Sequence, residues 1–370
     1  MADPAGNLYG ATWLGGGTYE LTIEGRKTKL QVIHRFPGIA AGNLITDTNG
    51  NLYGTTLYGG KAKRGTVFEL SPQKGGKGWK LTNLYQFCPN GSSCSHGDES
   101  ATGLTYAGAA AGELYDGSSP LYGTTLLGGT HNGGAVFELW PPKQGKEWAE
   151  RVLYNFCSRT NCADGETPSA TPIIDQAGNI YGSAVNGGKD GGGGVVYVLS
   201  PRVGGESWKE AVIHSFAYGS RPATVLMDSS GDVYGVTVGV TYNRGMFYEI
   251  FRSDAKWRFR SLYSFCAFQN CADGAYPIDI VMDSSGDFFG AAMSGGANGQ
   301  GGAVFEFAPD GSKWKLSVLY SFCSQIDCAD GKEPVTVTLG SHGSLYGTTE
   351  FGGKHGGEDG AGVAFELKAQ

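Results

Sequence analysis

The chain has 370 residues, 63 of them glycine, about 17% where roughly 7% is usual; adding the 14 prolines still leaves it below the roughly 25–30% that marks low-complexity disorder. Hydrophobic residues at 40% and aromatics at 12% can build a core, whereas charged residues at 17% are too few for long salt-bridged helices. A net charge of −7 without a basic run argues against nucleic acid as a partner, no apolar stretch is long enough to span a membrane, and the first six residues form neither a signal peptide nor a targeting sequence.

In chain order, the predicted elements are short strands in a fixed rotation. The first is Leu8-Tyr9-Gly10, a phrase that returns as Leu52-Tyr53-Gly54, Leu121-Tyr122-Gly123, Ile180-Tyr181-Gly182, Val233-Tyr234-Gly235, Phe288-Phe289-Gly290 and Leu345-Tyr346-Gly347. A glycine-rich loop follows each, then a strand centred on Glu20, Glu69, Glu138, Val198, Glu249, Glu306 or Glu366, each preceded by an aromatic residue. A third strand alternates apolar and polar residues and usually opens with tryptophan (Trp79, Trp148, Trp208, Trp257, Trp314). A fourth short apolar run leads into an Asp-Gly turn such as residues 47–50, 175–178 or 283–286. Four antiparallel strands per unit, with no useful helical periodicity, define a β-propeller blade.

Naming the strands A (before the Asp-Gly turn), B (Leu-Tyr-Gly), C and D (tryptophan), the sequence holds six A, seven B, seven C and six D. It begins at B and ends at C. The expectation is one all-β domain over residues 1–370, built from seven tandem repeats as a seven-bladed propeller with an imperfect closing blade, in which residues 1–6 could substitute for a missing strand. Six blades are the alternative.

Eight cysteines form four pairs after strand D: Cys88/Cys94, Cys157/Cys162, Cys266/Cys271 and Cys323/Cys328. Recurring in register and closing short loops, they read as four local disulfides and imply an oxidising compartment. Pairs on separate blades lie too far apart to combine into zinc sites, and no Cys-x-x-Cys redox motif is present.

Taken together, Asn-Leu-Tyr-Gly-Thr-Thr (residues 51–56), the Gly-Gly loops, a Gly-Thr-Val-Phe strand (65–68), Leu-Tyr-Ser-Phe-Cys (262–266) and Cys-Ala-Asp-Gly (271–274) with its following proline resemble the GloVer tandem-repeat family of exported bacterial proteins. The resemblance spans nearly the whole chain. It implies export and a propeller-like repeat, and no settled activity. Members carry varied C-terminal anchors, and no anchor segment is legible before Gln370.

In a propeller the D–A and B–C connections share one face, so the cysteine loops and Gly-Gly loops fall together and make that face the expected ligand site. The cysteine loops are read as ending in Asp-Gly turns, at Asp98, Asp164, Asp273 and Asp330. These could meet a sugar hydroxyl, a Ca²⁺ ion or a reacting proton; the plainer reading is that they serve their own turns. No other metal site or cofactor is expected. Breaks in the repeat add weaker catalytic candidates. His34 and His214 replace the tyrosine of strand D, and their two units lack the cysteine loop. His214, Tyr218, Arg221, Tyr242 and Arg244 could then converge on one sector, which would suit an acidic-sugar lyase or a carboxylate pocket.

Three functions stay open at this point. The first is a secreted or cell-surface monomer binding a glycan or other surface ligand, the second a glycoside hydrolase or polysaccharide lyase, and the third a structural surface protein.

Overall fold

The computed structural model describes residues 1–370 except residues 4, 13–15, 25–26, 77, 90, 92–93, 101, 143–146, 190–191, 203, 205–206, 241–242, 312, 341–342, 355–359 and 369–370. Seven antiparallel sheets make the fold an all-β, seven-bladed propeller, with every sheet ordered as its strands occur in the chain. The chain divides into two compact units, Met1–Ser215 with four blades and Phe216–Gln370 with three. The division falls at a D–A connection that lacks cysteines.

In the first unit, blade 1 holds β1 (Leu8–Ala11), β2 (Gly17–Glu24) and β3 (Lys27–Arg35); blade 2 holds β4 (Ala40–Thr46), β5 (Leu52–Thr56), β6 (Thr66–Pro72) and β7 (Trp79–Gln86). Blade 3 holds β8 (Leu121–Thr125), β9 (Ala135–Trp140) and β10 (Ala149–Asn155). Blade 4 holds β11 (Glu166–Pro168), β12 (Ile173–Ile174), β13 (Ile180–Asn186), β14 (Val195–Pro201) and β15 (Trp208–Ser215).

In the second unit, blade 5 holds β16 (Pro222–Met227), β17 (Val233–Thr237), β18 (Met246–Ser253) and β19 (Lys256–Ser264). Blade 6 holds β20 (Ala275–Met282), β21 (Phe288–Ser294), β22 (Ala303–Asp310) and β23 (Lys313–Ser321); blade 7 holds β24 (Lys332–Leu339), β25 (Leu345–Phe351) and β26 (Ala364–Leu367).

The 26 strands are not distributed as the sequence suggests. In blade 3 strand A shrinks to a bridge between Thr105 and Tyr122, because the chain departs into an insertion that buries Tyr115 against Tyr53. In blade 4 strand A breaks into β11 and β12. In blade 1 residues 1–3 do stand in for strand A: Ala2 bridges Leu8, and Asp3 makes the same turn as Asp47 and Asp175, accepting from the backbone N–H of Asn7 at 2.8 Å.

The repeated phrase follows from cross-strand register. Leu-Tyr-Gly on strand B lies opposite strand C so that leucine meets leucine, tyrosine meets glutamate and glycine meets an aromatic ring, as in Leu121↔Leu139, Tyr122↔Glu138 and Gly123↔Phe137. The glycine carries no side chain because the ring lies across it. A Cβ on Gly123 would stand 2.5 Å from Phe137, and one on Gly54, Gly235 or Gly290 meets its own partner equally closely. The phenylalanine ending each strand D then packs on the strand C ring of the next blade, as in Phe87–Phe137 at 5.2 Å, Phe156–Tyr197 at 4.8 Å and Phe265–Phe305 at 5.0 Å. Glycine, ring and phenylalanine thus form the unit of core packing. The opening tryptophans pack too: Trp314 lies against Tyr234, Phe247 and Phe288.

Four strand C glutamates, Glu20, Glu138, Glu249 and Glu366, accept from the strand B tyrosine of their own blade. Tyr122 O–H donates to Glu138 at 2.9 Å and Tyr9 O–H to Glu20 at 3.0 Å, while Arg151 from strand D donates to Glu138.

Candidate functional site: the D–A and B–C loop face

All four cysteine pairs are disulfides. Each loop is wedged against the B–C loop of the blade it enters: Gly129, Gly188, Gly296 and Gly353 donate backbone N–H groups to the carbonyls of Cys94, Cys162, Cys271 and Cys328 at 2.7, 3.0, 2.9 and 3.0 Å. The preceding glycines have positive φ and no room for a side chain. A Cβ on Gly187 or Gly295 would approach the Cys162 or Cys271 carbonyl oxygen to 2.4 Å. The Gly-Gly pairs are therefore the sockets for the disulfide loops.

The carboxylates of three loops face inward. Asp164 accepts from Tyr154 O–H at 2.8 Å, from Ser158 N–H and O–H, and from Arg159 N–H. Asp273 and Asp330 do the same with Tyr263 and Tyr320 and with the backbone of residues 267–268 and 324–325. Burial alone would raise the Asp164 and Asp330 carboxyls, and these hydrogen bonds bring both below the usual range. Asp98 is different, because it follows its glycine rather than preceding it, so His96 occupies the place of Asp164. His96 Nδ1 and Tyr85 O–H instead meet Glu150, at 2.7 and 3.4 Å, while Asp98 pairs with Arg64 at 2.9 Å. Burial raises the Asp98 carboxyl, and Arg64 opposes it.

Two residues beyond the loop glycine, the chain repeatedly enters the left-handed region with a non-glycine residue. These are Glu99 (φ 58°), Thr167 (60°), Arg221 (55°), Tyr276 (58°) and Glu333 (58°), and a proline follows all but Glu99. Such a conformation costs about 1 kcal/mol or more per residue and persists only where the surroundings impose it. Here the B–C loop of the preceding blade does so: Glu99, Thr167, Tyr276 and Glu333 donate N–H to the carbonyls of Arg64, Gly133, Arg244 and Gly301 at 2.8–3.0 Å. The backbone conformation recurs in both units while the side chain varies: glutamate twice, threonine, arginine and tyrosine. Sequence reading passed over Glu99, Thr167, Tyr276 and Glu333. Aligning the repeats on Pro168, Pro222, Pro277 and Pro334 would have exposed the column.

The repeat-breaking candidates divide between the units. His214 lies on β15 in the first unit, opposite Val196, where Tyr154 stands opposite Val136 in blade 3. Tyr218, Arg221 and Arg244 belong to the second unit, and Tyr242 lies outside the described residues. Tyr218 is 81% exposed. Arg221 and Arg244 are exposed on blade 5, and Arg244 lines a shallow depression of about 620 Å³ with Asn243, Met246, Ser264 and Cys266. Its guanidinium lies over the Tyr276 ring, 5.0 Å from the centroid, and donates to the Tyr276 hydroxyl oxygen. Among the described residues, no group of three or more His, Cys, Asp or Glu is placed to hold a metal ion.

Two further buried carboxylates link neighbouring segments. Asp279 on β20 accepts from Thr224 of blade 5 and from Thr336 and Val337 of blade 7, each at 3.1 Å, and burial raises its carboxyl. Glu210 on β15 is buried beside Arg159; burial pushes its carboxyl up to about 7 despite the guanidinium, with Asp164 adding to the shift. A raised folded-state value favours the protonated form. The resulting stability is intact below the ordinary carboxyl value of 4.5 and is lost as pH rises through about 7. Glu210→Gln should therefore gain on the natural protein between pH 4.5 and 8 in denaturant melts. A difference constant with pH would refute this assignment.

Seven like-ordered antiparallel sheets of three to five strands define the class as a β-propeller, and comparisons with known proteins agree. The chain belongs to the Gloeobacter/Verrucomicrobia repeat family, whose model matches residues 84–270. No curated protein matches it. A solved structure similar in fold is a catalytically inactive virginiamycin B lyase from Staphylococcus aureus with quinupristin (TM-score 0.59, 11% identity, 100% of this chain and 94% of that one). Others are a hypothetical selenium-binding protein from Sulfolobus tokodaii (0.58, 12%, 96% and 84%) and a protein from Lactobacillus plantarum (0.57, 13%, 92% and 88%).

Proposed function

We propose that this is an exported, monomeric propeller that binds a carbohydrate through its D–A and B–C loop face. The observation that carries the reading is the column Glu99, Thr167, Arg221, Tyr276 and Glu333, where one strained backbone conformation recurs and presents four kinds of side chain at five positions. Four disulfides support an oxidising, extracellular setting. Binding is favoured over hydrolysis because Asp164, Asp273 and Asp330, three of the cysteine-loop acids, are engaged by their own loops in one repeated arrangement. Hydrolysis needs two carboxyl groups aimed across one scissile bond, roughly 5–9.5 Å apart.

A lyase is the second reading, and one observation favours it: a tyrosine and an arginine, Tyr276 and Arg244, in contact beside a depression. A glycan array run alongside reducing-end and unsaturated-product assays on polysaccharides separates the cases. Saturable binding without product is the expected result, whereas unsaturated product would establish the lyase. Silence in all three assays would leave a structural surface protein and overturn the proposal.

A further inference from the structure

Building on the carbohydrate-binding reading, we propose that the ligand is an acidic sugar whose carboxylate is held by Arg221 and Arg244 on blade 5. The residue before the glycine that opens strand C is itself glycine in Gly133, Gly193 and Gly301 and alanine in Ala361, but arginine in Arg64 and Arg244. Arg64 is neutralised by Asp98. Arg244 meets Tyr276 instead, and among the described residues neither Arg244 nor Arg221 has a carboxylate within ion-pair distance.

The backbone brings the two arginines to one rim. Val238 N–H donates to the Arg221 carbonyl at 2.9 Å and Gly239 N–H to the Ser220 carbonyl at 2.8 Å. Gly239 also closes on the far end of its loop, where a Cβ would stand 2.1 Å from the Asn243 carbonyl oxygen, one residue before Arg244. The Arg244 guanidinium lies over the Tyr276 ring and gives one N–H to its hydroxyl, which leaves its other N–H groups for pairing with a carboxylate. Arg221 is held at φ 55°, a conformation glycine would adopt without strain, yet this position carries a long cationic side chain. The chain as a whole bears −7, so indiscriminate attraction of polyanions is not expected and a local cationic rim gives selectivity.

Titration calorimetry with oligogalacturonate, its methyl ester and neutral maltooligosaccharides tests the inference. The acid oligomer should bind at least tenfold more tightly than the ester, which has the same ring without the charge, and should weaken as salt is raised. Arg244→Gln and Arg221→Gly should each lose tenfold or more in affinity while the melting temperature does not fall. Arg258→Gln, the same charge change on the outer strand β19, should bind as the natural protein does. Equal affinity for acid and ester, equal loss in Arg258→Gln, or binding confined to neutral sugars would overturn the acidic-sugar site and leave the carbohydrate-binding proposal standing. Failure to bind any of these probes, or any glycan on the array, would overturn both.

Discussion

Replacing Gly123 by alanine is expected to cost about 2–3 kcal/mol, at the upper end for forcing a methyl group into a packed core. Its Cβ would stand 2.5 Å from Phe137 Cζ and 3.2 Å from Leu104. Phe137 is fully buried with Phe87 5.2 Å away, so its ring has nowhere to turn. The same methyl group in a Phe137→Leu background should cost much less, because the shorter side chain vacates the space. Denaturant melts of the four proteins measure this coupling. Additive penalties would mean that the glycine is there for some other reason. Equivalent losses should follow at Gly54, Gly235 and Gly290, where the same close approach recurs.

The second large effect is expected at the disulfide loops. Replacing Cys266 and Cys271 together by serine should destabilise the protein by about 2–3 kcal/mol, most of it through the freed unfolded chain. The loop also loses a constraint that positions the Cys271 carbonyl on Gly274 and Gly296 N–H, at 2.8 and 2.9 Å. Hydrogen exchange should therefore rise at Gly296 and at Tyr276, whose N–H reaches Arg244. A melt shift with no local change in exchange would separate the disulfide from the seating of the loop. On the natural protein, a thiol count after denaturation without reductant should find no free cysteines.

Blade architecture was legible in the sequence because its causes are local. Alternation gives the strands, Asp-Gly gives the turns, and the order B, C, D after Leu-Tyr-Gly is the order found in the first six sheets, with B then C in the seventh. The exceptions have physical sources. Strand A of blade 3 fails after Tyr106 because the insertion up to Tyr115 takes its place, and apolarity alone does not reveal a run too short to pair.

Less of the candidate site could be read. Left-handed backbone is expected of glycine and asparagine, not of Glu99, Thr167, Arg221, Tyr276 or Glu333; at Glu99, Thr167, Tyr276 and Glu333 it goes with a hydrogen bond to a neighbouring blade, which no local pattern encodes. Arg221 and Arg244 stood out as breaks in the repeat. Tyr276 did not, because a tyrosine in a chain with 19 of them carries little signal. The apparent fourfold set Asp98, Asp164, Asp273 and Asp330 dissolves once Gly97 and Gly165 are superposed, which puts His96 in the place of Asp164.

The most direct test of loop-face binding is hydrogen exchange measured by mass spectrometry with and without saturating oligogalacturonate or the best array ligand. Protection is predicted in peptides covering one or more of residues 97–100, 165–168, 219–222, 274–277 and 331–334, together with the adjoining B–C loops. Protection confined to the Asp-Gly turns at 47–51, 175–179, 228–232 and 283–287, on the opposite ends of the strands, would contradict it.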